Sequence, residues 1–221
     1  MPHRVRAEKA KAHAGPLGPS PLALAARLLT VARAAAIVPF LWLFVAVARD
    51  GRDDLGGWLA ALYLGAALSD LIDGKLARAA GAADARWGLA DVAVDVAFNL
   101  SSLACAAWLG RIGPWVPVGV AILAASYFSR LRADGRAARV HGPAYDPLGN
   151  LAGVIYYVLV GVVVGAVSTG FPEPRAVARL GDAVFLYTAL VLWRGRPWSR
   201  AQLEPGSGAV ASVARSRNSS A

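Results

Sequence analysis

The stretch SDLIDGKLARAAGAADARWGLADVAVDVAFN, residues 69–99, holds five aspartates, and four of them fall into two closely spaced pairs. Asp70 and Asp73 are spaced i, i+3, and Asp91 and Asp95 are spaced i, i+4. On helices, each pair shares a face. The pairs sit at the facing ends of two very apolar stretches, so an antiparallel hairpin turning through residues 79–87 would bring both to one membrane surface. Four confined carboxylates repel one another, and burial makes each costlier. A hard divalent cation, or two, removes the difficulty, because magnesium, manganese and calcium prefer oxygen ligands. Two such ions carry a charge that matches the four carboxylates. Pairing with Lys75, Arg78 and Arg86 is the bland alternative. It leaves Asp91 and Asp95 unexplained, since they fall about two turns into an apolar helix, where carboxylates are costly and usually functional.

The neighbours of these aspartates suit the same chemistry. Asp70, Asp73 and Asp91 can supply metal oxygens, and the deeper Asp95 can ligate a second ion or take a proton. Gly74 has no side chain, so a ligand can approach the backbone closely. Ala77 keeps that face clear one turn later. Arg78 offers a fork of donors suited to phosphate. Charge neutralisation, a clear surface and an anion clamp are what a pyrophosphate displacement needs.

Positioning these groups falls to long apolar helices. Of the 221 residues, 57% are hydrophobic and only 17% charged, which is too apolar for an ordinary soluble domain. The spacing predicts six spans, at about 28–48, 55–73, 88–109, 114–131, 148–168 and 177–193. Their length and lack of two-residue alternation indicate helices, so the expected class is an all-α polytopic membrane protein with six transmembrane helices in one bundle. Trp58, Trp87, Trp108, Trp115 and Trp193 fall near span ends, as interfacial rings do, whereas Trp42 lies mid-span and reads as packing. The net charge of +9 alternates with the spans and is no nucleic-acid footprint. The single cysteine, Cys105, excludes an intrachain disulfide. His3, His13 and His141 have no metal-ligand spacing, and there is no Ser-His-Asp arrangement.

Lys and Arg set the orientation. Seventeen fall on the side of the termini and the aspartates, against five (Arg49, Arg52, Arg111, Arg175 and Arg179) on the other. That bias puts both termini and the aspartate hairpin in the cytoplasm. Arg33 is left inside the first span, where it either faces the bundle or snorkels to the surface. Residues 1–24 read as a basic flexible or interfacial arm, 25–193 as the transmembrane catalytic domain, and 194–221 as a disordered basic tail that can rest on anionic lipid. A cleaved signal peptide fits the arm less well, because the apolar run after it is about 20 residues long. Gly149, Gly153, Gly161 and Gly165 form a stripe on the fifth span, suited to close packing within the chain or to a homodimer seam. Arg130, Arg132, Arg136 and Arg139 follow the fourth span. They read either as positive-inside charge or as an anion site for the acceptor, with Arg130, Arg132 and Arg139 its candidates.

With its spacing, the central stretch is Asp70-x2-Asp73-Gly74-x2-Ala77-Arg78, then twelve residues, then Asp91-x3-Asp95. This resembles the signature of the CDP-alcohol phosphatidyltransferases, integral membrane enzymes of phospholipid head-group synthesis, matching seven of its eight fixed positions. The opening Leu28-Leu29-Thr30-x2-Arg33-x5-Pro39 also resembles the family's first span. The departure is at position 87, where the signature has glycine and this chain has Trp87, with glycine at 88. The resemblance implies a transferase of phospholipid biosynthesis. Its donor would be CDP-diacylglycerol, held by Gly74, Ala77 and Arg78, and its cofactor Mg²⁺ or Mn²⁺, two ions on Asp70, Asp73, Asp91 and Asp95. Asp95 would be the catalytic base on the alcohol acceptor, with CMP released. It also implies an active site on the cytoplasmic side of the cell's inner (plasma) membrane. A CDP-linked small alcohol as donor to diacylglycerol is the nearest alternative, and a cation or proton transporter the alternative of another class.

Overall fold

The computed structural model describes residues 21–79, 85–134 and 147–194. Within them, the side chains of 73–79, 85–87, 131–134 and 147–150 lie outside the description. The described residues are helical, with no strand among them. The order is α1 (Pro21–Ala48), a 3-10 turn (Asp53–Leu55), α2 (Gly56–Ala79), α3 (Ala85–Trp108), α4 (Trp115–Asp134), α5 (Pro147–Thr169) and α6 (Pro174–Arg194). Each expected span coincides with one helix. The first is already helical at Pro21, ahead of residue 28, so the last residues assigned to the N-terminal arm are helical. Arg194, assigned to the tail, is helical and belongs to α6. The rest of the arm and tail lie outside the described residues.

Local chemistry explains the boundaries. Pro174 stands at the first position of α6, where the missing N–H has no partner to lose and φ is already helical. After α3, Gly110 adopts φ 68°, a left-handed conformation that glycine takes without Cβ strain. Its N–H reaches the Ala107 carbonyl at 3.0 Å, and the next N–H, from Arg111, reaches the Ala106 carbonyl at 2.9 Å. Two carbonyls of the last turn are thereby satisfied and the chain reverses.

By length and composition, α1, α3, α5, α6 and the segment Asp53–Ile72 can each cross a membrane. The side chains of α4 are described only as far as Arg130, so that helix is not among the five. With these five apolar helices the chain is an integral membrane protein.

The chain divides into two compact units, Met1–Ser101 and Ser102–Ala221. In the first, α1 packs along α2, and Phe40 stacks at 5.0 Å from Phe98 of α3 and 5.9 Å from Phe44. Leu59 and Ala66 complete this core. In the second, α6 packs against α4 and α5. The Tyr156 and Thr188 hydroxyls share a buried hydrogen bond of 2.9 Å, so neither polar group faces lipid unpaired. Large apolar residues face outward in both units, among them Val38, Leu64, Leu68, Val158 and Leu186. This is the surface a hydrocarbon solvent requires.

One expectation is corrected. Trp42 does not pack inside the chain but stands 60% exposed on α1. Of the α5 glycine stripe, the surroundings of Gly153 and Gly165 are described, and no other helix comes close at either. A Cβ added at Gly153 would meet nothing within 4 Å, and one at Gly165 only the Phe171 carbonyl oxygen at 3.9 Å. Close contacts form at glycines outside that stripe. A Cβ at Gly119 would come within 3.1 Å of the Phe185 ring, and one at Gly181 within 3.3 Å of Ile112.

Candidate metal centre

Among the described residues of the first unit, α1, α2 and α3 bring polar side chains together in a locus between their apolar faces. From α1 come Thr30 and Arg33, three residues apart and therefore on one face. From α2 come Ser69 and Asp70, and from α3 come Asp91 and Asp95. One oxygen from each of Asp70, Asp91 and Asp95 lies within 4.8 Å of the others. Both ends of the acidic motif thus converge, as the helical spacing predicts. Asp73 lies on α2 one turn beyond Asp70, and its side chain is outside the description.

Arg33 closes the cluster from the α1 side. Its Nη1 donates to Asp70 Oδ1 at 3.0 Å and to Asp95 Oδ1, and it stands 3.7 Å from Asp91 Oδ1. Its Nε donates to Ser69 Oγ at 3.1 Å, and Ser69 in turn donates to the Ala66 carbonyl at 2.8 Å. Between the two readings of Arg33, facing the bundle or snorkelling outward, the geometry selects the first. The guanidinium has no exposed side-chain surface, whereas the side chains of Asp70, Asp91 and Asp95 keep 36%, 30% and 22% of theirs. The carboxylates are open on one side and backed by a buried cation on the other.

Thr30 fixes Asp91. Its Oγ1 lies 3.0 Å from Asp91 Oδ1 and 3.3 Å from the Ala26 carbonyl one turn back. One hydrogen serves both acceptors. Below the acids, Asn99 donates from Nδ2 to the Asp95 backbone carbonyl at 3.0 Å. That bond ties the next turn of α3 to the turn that carries the carboxylate.

The donor set fits a hard divalent cation. It offers carboxylate oxygens only, converging from two helices, partly buried yet accessible. The expected charge balance changes, however. Pairing two divalent ions with four carboxylates left out Arg33. Asp70, Asp91, Asp95 and Arg33 sum to −2, so one divalent ion would already balance the described locus.

The other expected site residues are only partly described. Gly74, Ala77 and Arg78 continue α2 beyond Asp70 toward its C-terminal end, with side chains outside the description. The Trp87 ring is likewise undescribed, but its neighbour Gly88 is exposed, with nothing within 4 Å of an added Cβ. Arg130 sits half-buried near the end of α4, Arg132 lies on the same helix with its side chain undescribed, and Arg136 and Arg139 lie outside the described residues. Sequence reasoning gave no role to Thr30 or Ser69. The available signal was a threonine and an arginine at i, i+3 inside an otherwise apolar span, a face that needs polar company.

The family model described as CDP-alcohol phosphatidyltransferase matches residues 23–171. That range covers α1 to α5 and every residue of the polar locus. No curated protein matches the chain.

Proposed function

The chain belongs to the CDP-alcohol phosphatidyltransferase family, and from that premise we propose that it transfers a phosphatidyl group from CDP-diacylglycerol to an alcohol, with release of CMP. The observation that carries the reading is the convergence of Asp70, Asp91 and Asp95 from the two halves of the motif. Asp73 completes the ligand set, and the ions are Mg²⁺ or Mn²⁺, two in number. When bound, they neutralise the pyrophosphate of the donor and the charge that develops on the leaving phosphate.

The chain's own residues do the rest. Gly74 and Ala77 leave the α2 surface clear for the donor, and Arg78 clamps its phosphate. Thr30 and Arg33 fix the carboxylates before substrate arrives, so little reorganisation remains for the reaction itself. Asp95 takes the proton of the acceptor hydroxyl. The hydroxyl oxygen bonds to the lipid-side phosphorus as the bond from that phosphorus to the CMP oxygen breaks. Arg130, Arg132 and Arg139 hold an anionic or phosphorylated acceptor. Six helices form one transmembrane domain over 25–193, flanked by a basic arm and tail, with both termini and the site on the cytoplasmic face of the inner (plasma) membrane. The open space beside Gly153 leaves that part of the α5 face to lipid or to a second copy in a homodimer.

Purified protein supplied separately with CDP-diacylglycerol plus a panel of alcohols, and with a CDP-linked small alcohol plus diacylglycerol, tests the donor. CMP release only from CDP-diacylglycerol is the expected result. Release only from the small CDP-alcohol would reverse the direction of transfer.

A further inference from the structure

Arg33 carries a role that the family motif does not assign. The three described carboxylates lie within 4.8 Å of one another and come from two different helices. Without a cation between them, their repulsion would push α2 and α3 apart at this level. The chain supplies that cation from a third helix. Arg33 is buried, with 2% of its surface exposed, and its Nη1 is hydrogen-bonded to Asp70 of α2 and Asp95 of α3. Its Nε is held by Ser69, so the fork cannot rotate away without losing a further hydrogen bond. A buried arginine with this many acidic partners is expensive unless it offsets charge that would otherwise be worse.

We propose that Arg33 is the resident counter-cation of the acidic cluster, a positioning residue that keeps α1, α2 and α3 assembled around the carboxylates when no divalent ion is bound. This rests on the reading of the cluster as a metal centre and adds to it. The site does not depend on metal for its assembly, and the carboxylates stay poised for ions to bind. Arg33 and the ions draw on the same oxygens of Asp70 and Asp95, so the contribution of Arg33 to stability is largest in metal-free protein and shrinks as the ions bind.

The test is thermal unfolding of detergent-purified protein in EDTA and in excess Mg²⁺, with all variants prepared in Mg²⁺. Wild type should unfold at similar temperatures in both. Arg33→Met should unfold near wild type in Mg²⁺ but lower in EDTA by about 6 °C or more, the scale of breaking one buried ion pair in a chain of this size. Arg33→Lys, which keeps the charge, should recover most of the difference. The double variant Arg33→Met/Asp95→Asn, which removes one charge of each sign, should recover it without metal. Equal loss in EDTA and Mg²⁺, with no recovery in the double variant, would mean that Arg33 only fills space; the proposal would fall and the metal reading would stand. Recovery in the double variant with no effect of Mg²⁺ on any protein would uphold Arg33 and remove the metal reading. A variant too unstable to purify even in Mg²⁺ would count against the proposal unless the double variant purified normally.

Discussion

Arg33 on α1 and Asp95 on α3, separated by 62 residues of chain, form an ion pair whose cation has no exposed side-chain surface. Two helices are thereby tied at the level where the acidic motif converges. A charged pair inside an apolar bundle is retained at a cost in stability, which implies that the carboxylates have work to do there.

The first prediction concerns Asp95. Asp95→Asn removes both a ligand and the proposed base, and transfer should fall by about 10³-fold or more, the range of a lost general base. Arg33 keeps Asp70 as a partner in that variant, so the protein should still insert and fold. CMP release and thermal unfolding measured on the same preparation check both halves. Wild-type turnover would remove Asp95 from the mechanism.

Thr30→Val keeps the shape of the side chain and deletes the hydroxyl that reaches Asp91. A lost hydrogen bond of this kind costs about 1 kcal/mol, or about fivefold in an equilibrium. Weaker Mn²⁺ binding of up to that order, with a fall in the unfolding temperature in EDTA of about 2–4 °C, is expected. Mn²⁺ titration against wild type measures it.

Glycines divide by position. Gly181→Leu forces a side chain into Ile112 and Val116, which lie within 3.3 and 3.6 Å of the missing Cβ, and overpacking of this kind costs about 1–3 kcal/mol. Gly153→Ala enters open space and should be neutral or stabilising by up to about 1 kcal/mol, since alanine is the better helix former. Unfolding temperatures rank the two. If Gly153→Ala changed the oligomeric state on a sizing column, that face would be a seam between copies.

Removal of divalent metal should abolish transfer, and Mg²⁺ or Mn²⁺ should restore it, while the helical content measured by circular dichroism stays constant. The second half follows from Arg33, which offsets part of the cluster's charge without metal. Loss of helicity in EDTA would contradict it.

The acidic residues were legible because their spacing is local: i, i+3 and i, i+4 fix shared faces whatever the tertiary structure. Helix positions were legible for a similar reason, since length and apolarity are properties of the segment itself. The partner of Arg33 was not, because snorkelling and pairing differ only in which helix lies opposite, and nothing near Arg33 in sequence encodes that. The glycines illustrate the same limit. The regular stripe on α5 attracted attention, yet the described close approaches occur at Gly119 and Gly181, where bulky residues of other segments happen to face them. Trp42 was misread because in lipid a large ring can face outward as readily as inward.

The central claim is that the carboxylates of α2 and α3 hold divalent ions together. Mn²⁺ binding to folded, purified protein in the presence of CDP-diacylglycerol, followed by electron paramagnetic resonance, tests it most directly. Saturable binding by wild type, lost in an Asp91→Asn/Asp95→Asn variant that remains folded, is the predicted result. No binding by wild type, or undiminished binding by the double variant, would contradict the account.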